Sequence, residues 1–464
     1  MLPDGDKEEL VDGIRDVDRV IAAEIWSDNH LGQIFKDLCM KFTHRFSGSE
    51  EARLAAEYIA ERLRAFGIQN VALEPFPVVA WKRSSARLTM ISPVHREFPV
   101  LALPYSPSCD REFKLIDLGL GHPSDLDRNI ERIRGSAVLV DDRNPPSGPH
   151  LHRLQKYLSV VQNGAGAFLF AGNQPGMLAP TGSLAFDPCK PLDQCIPSMG
   201  IPLECAQELR YWLSQEVVSI RVEQHNTLCH TSDVNVVAEI EGGRQDSRVT
   251  LISAHYDGHD ICQAANDNAS GTAAAMETIR ALSRIPSESR GPVRVVLFGG
   301  EETGLLGSYA YIQNHRREVN TIKFVFNLDC VGKAGKLGVL VQKAPHALRR
   351  ISEWIRDIDA DIDVFDHLIP FSDQFPFFLN GVPTAFCATE GNGQRSWDHT
   401  SGDTFEKVGI DSLRRVALQV SRLTARVAAS DDWIVDPIPS DEVKMSLLSS
   451  GIEALMRYEQ HWPF

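Results

Sequence analysis

The apolar residues in the first part of the chain follow the period of an α-helix. In the segment SGSEEARLAAEYIAERLRAFGI they recur at spacings of one, three and four, at Ala55, Ala56, Ile59, Leu63 and Phe66. Ser47 or Ser49 can cap such a helix at its start, and Gly67 can end it. The next segment, VALEPFPVVAW, has the composition of a strand. The pattern therefore predicts a helix followed by a strand.

Strand-like and helix-like segments alternate between residues 230 and about 430. In chain order they are NVVAEIEG, VTLISAHYD, GTAAAMETIRALSRI, VRVVLFGGEE, LLGSYAYIQNH and KFVFNLD. Strands that alternate with helices form a largely parallel sheet with helices on both faces. This region is therefore predicted to have an α/β fold with a mainly parallel, twisted sheet.

The region from 105 to 228 has a different character. Short β-like runs, SAVLVDD and AGAFLFAGN, are separated by clusters of proline and glycine such as RNPPSGP and GNQPGMLAPTGS. We interpret it as a β-rich unit inserted into the first one. The predicted organisation is a discontinuous domain of residues 1–104 and 229–430, an inserted domain of residues 105–228, and a C-terminal helical tail of residues 431–464.

Composition and charge narrow the class of protein. The chain has 464 residues, 43% hydrophobic and 23% charged, which is typical of a globular protein of two or more compact units. A formal net charge of -15 argues against nucleic acid as a partner. The N-terminal MLPDGDKEELVDG lacks the apolar core of a signal peptide, and no apolar run is long enough to span a membrane.

The cysteine pattern bears on the cellular compartment. Nine cysteines, an odd number spread along the chain, fit a reducing compartment better than a disulfide framework. The close pair Cys189 and Cys195 is interpreted as two separate thiols. We therefore expect a cytoplasmic protein, or a secreted one if a leader was removed, with no membrane partner. The oligomeric state is left open.

Polar residues that carry chemistry lie at the ends of the predicted strands and in nearby loops. They are His255, Asp257, Asp267, Glu301, Glu302, Asp329 and His399. In an open parallel sheet, ligands bind beyond the carboxyl ends of the strands. A single acid at a strand end is more often a helix cap, and a single histidine is usually structural. The ordered series HYD, DNASG, GGEE, NLD and DHTSGDT makes coincidence improbable, so we expect these side chains to converge.

The residue types indicate a metal site. Two histidines, His255 and His399, with three carboxylates, Asp267, Glu302 and Asp329, form a mixed nitrogen and oxygen set that suits zinc, with cobalt or manganese as substitutes. Five ligands are too many for one tetrahedral ion but suit two ions that share a carboxylate.

Two further acids are the predicted catalytic residues. Glu301 is the predicted general base, which deprotonates a water activated by two divalent metal ions. Asp257 can accept the second N–H of His255 and fix its tautomer.

These motifs resemble the co-catalytic zinc aminopeptidase family, which includes bacterial leucyl-type aminopeptidases and glutamate carboxypeptidases. SAHYDG, NDNASG, FGGEETGLLGS, FNLDCVG and SWDHTSGDTFEKV match its ligand motifs, and GSEEARLAAEYIAERLRAFGI its first helix. The resemblance covers most of the chain and implies the three-layer zinc-exopeptidase fold. One departure is Gln374, where many relatives have histidine.

The resemblance also implies a role for each residue. One zinc would be held by His255, Asp267 and Asp329, and the other by Asp267, Glu302 and His399, with Asp267 as the bridge. It further implies a cis peptide bond between Asp267 and Asn268. Because the ligand set is then complete, His259 and Cys262 in the preceding loop are not expected to bind metal.

The inserted region resembles a protease-associated (PA) domain, through GSAVLVDD, GAGAFLFAGN and IPSMGIP. That resemblance implies that it shapes or covers the substrate cleft rather than taking part in the chemistry.

The function expected from these observations is a metal-dependent exopeptidase acting on peptides, with an aminopeptidase favoured. The alternative is a carboxypeptidase or dipeptidase, in which Arg395 of the loop GNGQR would hold a substrate carboxylate. A single-zinc glutaminyl cyclase and a non-catalytic binding protein are less favoured, because every ligand and the base are present. The chain contains no HExxH, GxSxG or P-loop motif.

Overall fold

The computed structural model describes residues 4–145, 150–184, 195–358, 361–390, 397–430 and 437–464, with residues 4–13 described by their backbone alone. The helices of these ranges are α1 (Asp4–Ser27), α2 (His30–Met40), α3 (Glu50–Ala65), α4 (Pro123–Ile133), α5 (Arg153–Gln162), α6 (Leu203–Leu213), α7 (Gly271–Leu282), α8 (Leu306–Asn314), α9 (Pro345–Ile358), α10 (Gln374–Leu379), α11 (Ile410–Ala429), α12 (Ser440–Ser450) and α13 (Glu453–Tyr458).

The strands of the same ranges are β1 (Asn70–Ser92), β2 (Arg96–Phe98), β3 (Leu101–Ala102), β4 (Cys109–Asp117), β5 (Ala137–Asp141), β6 (Ala167–Ala171), β7 (Ser198–Ile201), β8 (Ser219–Ile240), β9 (Val249–His255), β10 (Val293–Phe298), β11 (Ile322–Leu328), β12 (Leu337–Val341), β13 (Ile362–Asp366) and β14 (Thr384–Thr389). Together with the helices they form an α/β fold, as predicted.

The main sheet has a parallel centre. Its strand order is β13-β12-β14-β11-β9-β10-β8, and β14, β11, β9 and β10 run parallel to one another. Every residue of β9 and β11 is buried, because helices cover both faces of the sheet. Helices α1, α2, α7, α9 and α11 pack on one face, and α8 and α10 pack on the other.

The first predicted helix is confirmed as α3. Ser49 caps it, since its side-chain oxygen accepts a hydrogen bond from the backbone N–H of Ala52. Gly67, with φ of +90°, follows its last turn, as expected for a residue that must adopt the left-handed conformation. The predicted apolar positions are all buried against the main sheet.

Two long antiparallel strands join the main domain to the inserted region. β1 and β8 pair from Asn70 opposite Glu239 to Ser92 opposite Ser219. The apolar core of the inserted region includes Leu88 and Met90 of β1, which precede the predicted boundary at residue 104. The domain limits remain a prediction, but this packing places part of β1 with the insert.

The inserted region alternates strands and helices. β4, β5, β6 and β7 run parallel, with α4 and α5 packed on one face and α6 on the other. The predicted strands SAVLVDD and AGAFLFAGN correspond to β5 and β6. In the C-terminal tail, α12 and α13 pack onto the main core through Val443, Leu447, Leu455 and Met456. No helix in the described ranges is long and apolar enough to cross a membrane.

Candidate metal centre

The structure brings the five predicted ligands together at the carboxyl edge of the parallel strands. His255 is the last residue of β9, Glu302 follows β10, and Asp329 follows β11. Asp267 lies in the turn before α7, and His399 lies in the loop before α11. Convergence follows from topology, because parallel neighbours end at the same edge.

The ligand atoms form two groups that share one carboxylate. In the first group, His255 Nε2 lies 3.2 Å from Asp267 Oδ1 and 3.4 Å from Asp329 Oδ1. In the second, His399 Nε2 lies 3.1 Å from Asp267 Oδ2 and 3.4 Å from Glu302 Oε2. The two oxygens of Asp267 therefore face different histidines, which is the arrangement that a bridging carboxylate needs.

These separations fit a shared cation. Two ligand atoms that bind one zinc ion at about 2.0–2.1 Å lie about 2.9 Å apart at a right angle and about 3.4 Å apart at the tetrahedral angle. The four distances above fall within this range. Burial alone would lower the pKa of His399, yet the charges of Glu302 and Asp267 raise this pKa to about 9. The site therefore has an excess of negative charge, which a divalent ion would neutralise.

The shared aspartate is held by a residue that the sequence reasoning did not single out. The carboxylate of Asp403 accepts hydrogen bonds from the backbone N–H groups of Asn266 at 2.8 Å and Asp267 at 3.0 Å. The peptide bond between Asp267 and Asn268 is cis, as the family resemblance implied. Asp403 belongs to the motif DHTSGDT, so the motif was recognised while this role was not.

A second buried network orients Asp329. Ser372 Oγ donates to Asp329 Oδ2 at 2.7 Å, and Asn327 Nδ2 donates to Ser372 Oγ at 2.8 Å. Asn327 Nδ2 also lies 2.9 Å from the side-chain oxygen of Gln374. Gln374 is fully buried below the site, so its departure from the family pattern changes this supporting network rather than the ligand set.

Asp257 contacts His255 less directly than predicted. His255 Nδ1 lies 3.2 Å from the backbone oxygen of Asp257 and 3.5 Å from its carboxylate Oδ1. The carboxylate instead accepts hydrogen bonds from the backbone N–H groups of Glu301 at 3.1 Å and Glu302 at 3.2 Å. Asp257 therefore positions the predicted base and one predicted ligand, as well as a histidine.

We expect Asp257→Asn to lower kcat by about 10- to 100-fold, the usual loss when a partner of metal ligands is removed. One end of the new amide would be an NH2 group facing a backbone N–H, so at least one of the two glutamates must move. Steady-state kinetics measures this loss, with the exposed Asp110→Asn as the control. Unchanged kcat in Asp257→Asn would show that the contact does not position Glu301.

Glu301 has the position required of a proton-transfer group. It lines a cavity of about 270 Å³ together with Asp329 and His399. Its carboxylate makes no hydrogen bond or ion pair with any described residue. Burial, reinforced by the charges of Glu302 and Asp329, raises the pKa of Glu301 well above its usual range. The side chain is therefore free to exchange a proton with a molecule in the cavity.

The inserted region forms part of the cavity wall. His152, Arg153 and Ser183 line the same cavity as the predicted ligands. The ring of His152 stacks on Phe371 of the main domain, with 3.9 Å between the ring centroids. Arg395, the predicted holder of a substrate carboxylate, lies outside the described residues, as does Cys189. Arg153 is instead the described arginine that reaches this cavity, and the sequence reasoning did not find it.

His259 and Cys262, which are not expected to bind metal, differ in where their side chains lie. His259 points at the second ligand group, with Nε2 2.9 Å from Glu302 Oε2. Cys262 is buried, and its thiol donates to the backbone oxygen of His259 at 3.8 Å. The Cys262 side chain therefore contacts the backbone of its own loop, while the His259 side chain enters the site.

The fold and the two ligand groups define a metallo-exopeptidase of the α/β class. Residues 235–424, which contain every predicted ligand, match the family model for peptidase family M28.

The chain is similar to curated peptidases over much of its length. Carboxypeptidase Q of Xenopus laevis is 24% identical over 370 residues, which cover 78% of each chain. Carboxypeptidase Q of Homo sapiens is 26% identical over 294 residues, 61% of each chain. Aminopeptidase YwaD of Bacillus subtilis is 26% identical over 316 residues, 65% of this chain and 64% of that one. The chain therefore spans less than two thirds of the length of the latter two relatives.

Solved structures share the fold. The peptidase M28 precursor from Shewanella amazonensis SB2B superposes with a TM-score of 0.78 at 21% identity, covering 92% of this chain and 99% of the other. The aminopeptidase from Aneurinibacillus sp. strain AM-1 gives a TM-score of 0.68 at 22% identity, covering 91% and 98%. These coverages include the inserted region as well as the main domain.

Proposed function

We propose that the protein is a zinc-dependent aminopeptidase that binds two divalent ions and releases N-terminal residues from peptides. The observation that carries this proposal is the pair of ligand groups joined by Asp267, with the unpaired carboxylate of Glu301 in the adjoining cavity. The names of several relatives, including the zinc aminopeptidase of Bacillus subtilis, support the choice of metal and reaction.

The residues divide between holding metal and moving a proton. His255, Asp267 and Asp329 would hold one ion, and Asp267, Glu302 and His399 the other. When bound, such ions polarise a peptide carbonyl and lower the pKa of water. Glu301 would accept a proton from the attacking water and deliver it to the leaving amine, which requires a carboxylate that no other group occupies.

We propose that the inserted region is PA-like and shapes the substrate cleft. His152 and Arg153, at the start of α5, contribute to the cavity wall, and the stacking on Phe371 fixes this end of the helix against the main domain. A cavity of about 270 Å³ that is lined by both regions suits the end of a peptide better than its middle. We also propose a cytoplasmic location, which is supported by the absence of disulfides at the buried Cys39, Cys205, Cys262 and Cys387.

One observation favours a second candidate, a carboxypeptidase or dipeptidase. Arg153 makes no ion pair with any carboxylate of the described residues, and its guanidinium donates only to backbone oxygens, such as that of Ser183 at 3.2 Å. An arginine with an unpaired charge in the cavity wall could bind the carboxylate of a short peptide.

A substrate panel distinguishes the two candidates. We expect the protein to cleave aminoacyl substrates with a free amine and not their N-acetylated forms, and to lose activity with a chelator and regain it with zinc. Dipeptides with a free or amidated C-terminus complete the panel. Cleavage of N-acetylated substrates that requires a free C-terminal carboxylate would overturn the aminopeptidase proposal and favour the second candidate.

A further inference from the structure

We propose that His259 is a further protein ligand of the cation held by Glu302 and His399, so that this ion is bound through two histidines. The inference rests on the proposed function only in assuming that this centre binds divalent ions. It adds a ligand to the set implied by the sequence, in which His259 was not expected to bind metal.

The distances place His259 where a ligand must lie. His259 Nε2 lies 2.9 Å from Glu302 Oε2, the same oxygen that lies 3.4 Å from His399 Nε2. Potential ligand atoms of His259, Glu302 and His399 all lie within 4.8 Å of one another. The contact distances are within the range of about 2.9–3.4 Å expected for atoms that share a zinc ion.

The ring nitrogens of His259 lack other partners among the described residues. The side chain is only 1% exposed, and neither nitrogen makes a hydrogen bond of acceptable geometry. A buried polar group without a partner is destabilising, because it has lost its hydrogen bonds to water and gained none in return. The Oε1 atom of Glu302, the other oxygen of the same carboxylate, likewise has no hydrogen-bond partner among the described residues. A cation between the imidazole and the carboxylate would satisfy Nε2 of the ring.

The surrounding chain holds the ring in this position. The ring of Phe46 stacks on one side of His259 at 5.8 Å, and the edge of His399 packs at 4.6 Å. The backbone N–H of Gly258 donates to the backbone oxygen of Arg45 at 3.1 Å, and Asp260 pairs with Arg83 at 2.8 Å. Both neighbours of His259 are therefore anchored, which favours a ligand that is already oriented before metal enters.

The two metal positions would then differ in chemistry. The first has one histidine and two carboxylates, whereas the second has two histidines and two carboxylates, counting Asp267 in both. Imidazole favours zinc over magnesium, calcium or manganese, which prefer oxygen ligands. The second position should therefore bind zinc more tightly and select it more strongly.

The first experiment measures zinc binding with a competing chelator. We expect His259→Ala to lower the affinity for one of the two bound zinc ions by at least about 10-fold, because even indirect partners of metal ligands contribute that much to metal affinity. His315→Ala is the matched control, since His315 Nε2 also contacts a glutamate, Glu74, at 3.0 Å but lies outside the centre. Zinc affinities of His259→Ala equal to those of the control would overturn the proposal.

A second variant separates ligation from hydrogen bonding. His259→Gln keeps an N–H donor that can reach Glu302 but removes the imidazole. Zinc affinity as weak as in His259→Ala supports ligation, whereas wild-type affinity would show that His259 only positions Glu302. Thermal unfolding of the metal-free variants verifies that they remain folded.

The cobalt-substituted protein gives a direct spectroscopic test. Imidazoles bound to Co²⁺ show strongly shifted N–H proton signals, and we expect one signal fewer in His259→Gln than in the wild type. The same number in both would overturn the proposal. If the wild type binds two ions but hydrolyses no peptide, the proposed function fails and the inference about His259 stands. If the wild type hydrolyses peptides and the His259 variants bind zinc normally, the inference about His259 fails and the proposed function stands.

Discussion

Replacing Glu301 with glutamine is expected to lower kcat by about 10²- to 10⁴-fold, the usual contribution of a general base. The amide has nearly the same shape as the carboxylate but cannot accept the proton of the attacking water. Because the Glu301 carboxylate makes no hydrogen bond or ion pair with described residues, the substitution should leave folding and zinc content unchanged. Steady-state kinetics on a free-amine aminoacyl substrate, with zinc content measured on the same samples, tests this expectation.

The largely exposed Glu318 provides a control for the same chemical change, since it lies near the end of α8 and outside the cavity. Glu318→Gln should retain wild-type kcat. Full peptidase activity in Glu301→Gln, with zinc bound, would contradict the assigned role. A loss of zinc in Glu301→Gln would instead show that this residue helps to bind the metal.

Replacing Arg45 with methionine is expected to lower the free energy of unfolding by about 3–5 kcal/mol. Arg45 is fully buried, and its guanidinium donates to five backbone oxygens, those of Leu38, Phe42, Tyr256, Gln263 and Ala264. Methionine fills similar space but removes a donor from each of these carbonyls, and each buried group left unsatisfied costs about 1–3 kcal/mol. The oxygen of Ala264 keeps one donor, the backbone N–H of Ala269 at 2.9 Å. The expected loss is smaller than the sum of these individual costs, because the loop that contains Tyr256, Gln263 and Ala264 would partly rearrange.

Urea unfolding measures this loss, and the exposed Arg19→Met is the control. Because the bonded carbonyls flank the loop that carries Asp257 and His259, we also expect weaker zinc binding in Arg45→Met. A change below about 1 kcal/mol, within the range of surface substitutions, would show that water or rearrangement replaces the arginine.

The positions of the five predicted ligands could be inferred from sequence because they depend on a simple rule of topology. His255, Glu302 and Asp329 each end or follow a buried strand, and the ends of parallel strands meet at one edge. Asp267 and His399 were assigned through motifs with fixed neighbours. None of these assignments required knowledge of how a loop folds.

The contributions of loops could not be inferred in this way. His259 enters the site because Arg45 and Phe46, more than two hundred residues earlier in the chain, fix the path of its loop. The carboxylate of Asp257 turns toward two backbone amides, and the direction of a side chain in a loop has no periodic signal. Arg153 reaches the cavity only through the packing of the insert against the main domain.

The length of β1 also exceeded what its composition indicated. The segment VALEPFPVVAW was predicted as a strand, but the strand continues through the polar Lys82–Ser85 stretch to Ser92. Pairing with β8 continues on both sides of a register shift between Arg83 and Ser85, and it supplies the stabilising hydrogen bonds there. A strand that is stabilised by its partner rather than by an apolar face shows little alternation in the sequence.

The pairing of Ser92 with Ser219 means that the chain leaves β1 and re-enters β8 at adjacent points. In their connectivity, β1 and β8 form a β-hairpin whose turn has been replaced by a folded unit of more than a hundred residues. A short turn between Ser92 and Ser219 would close the same hairpin without moving the main sheet. The apolar side chains of Leu88, Met90, Ile220 and Val222 would then lose their covering, so a shortened protein would need polar residues at those four positions to remain soluble.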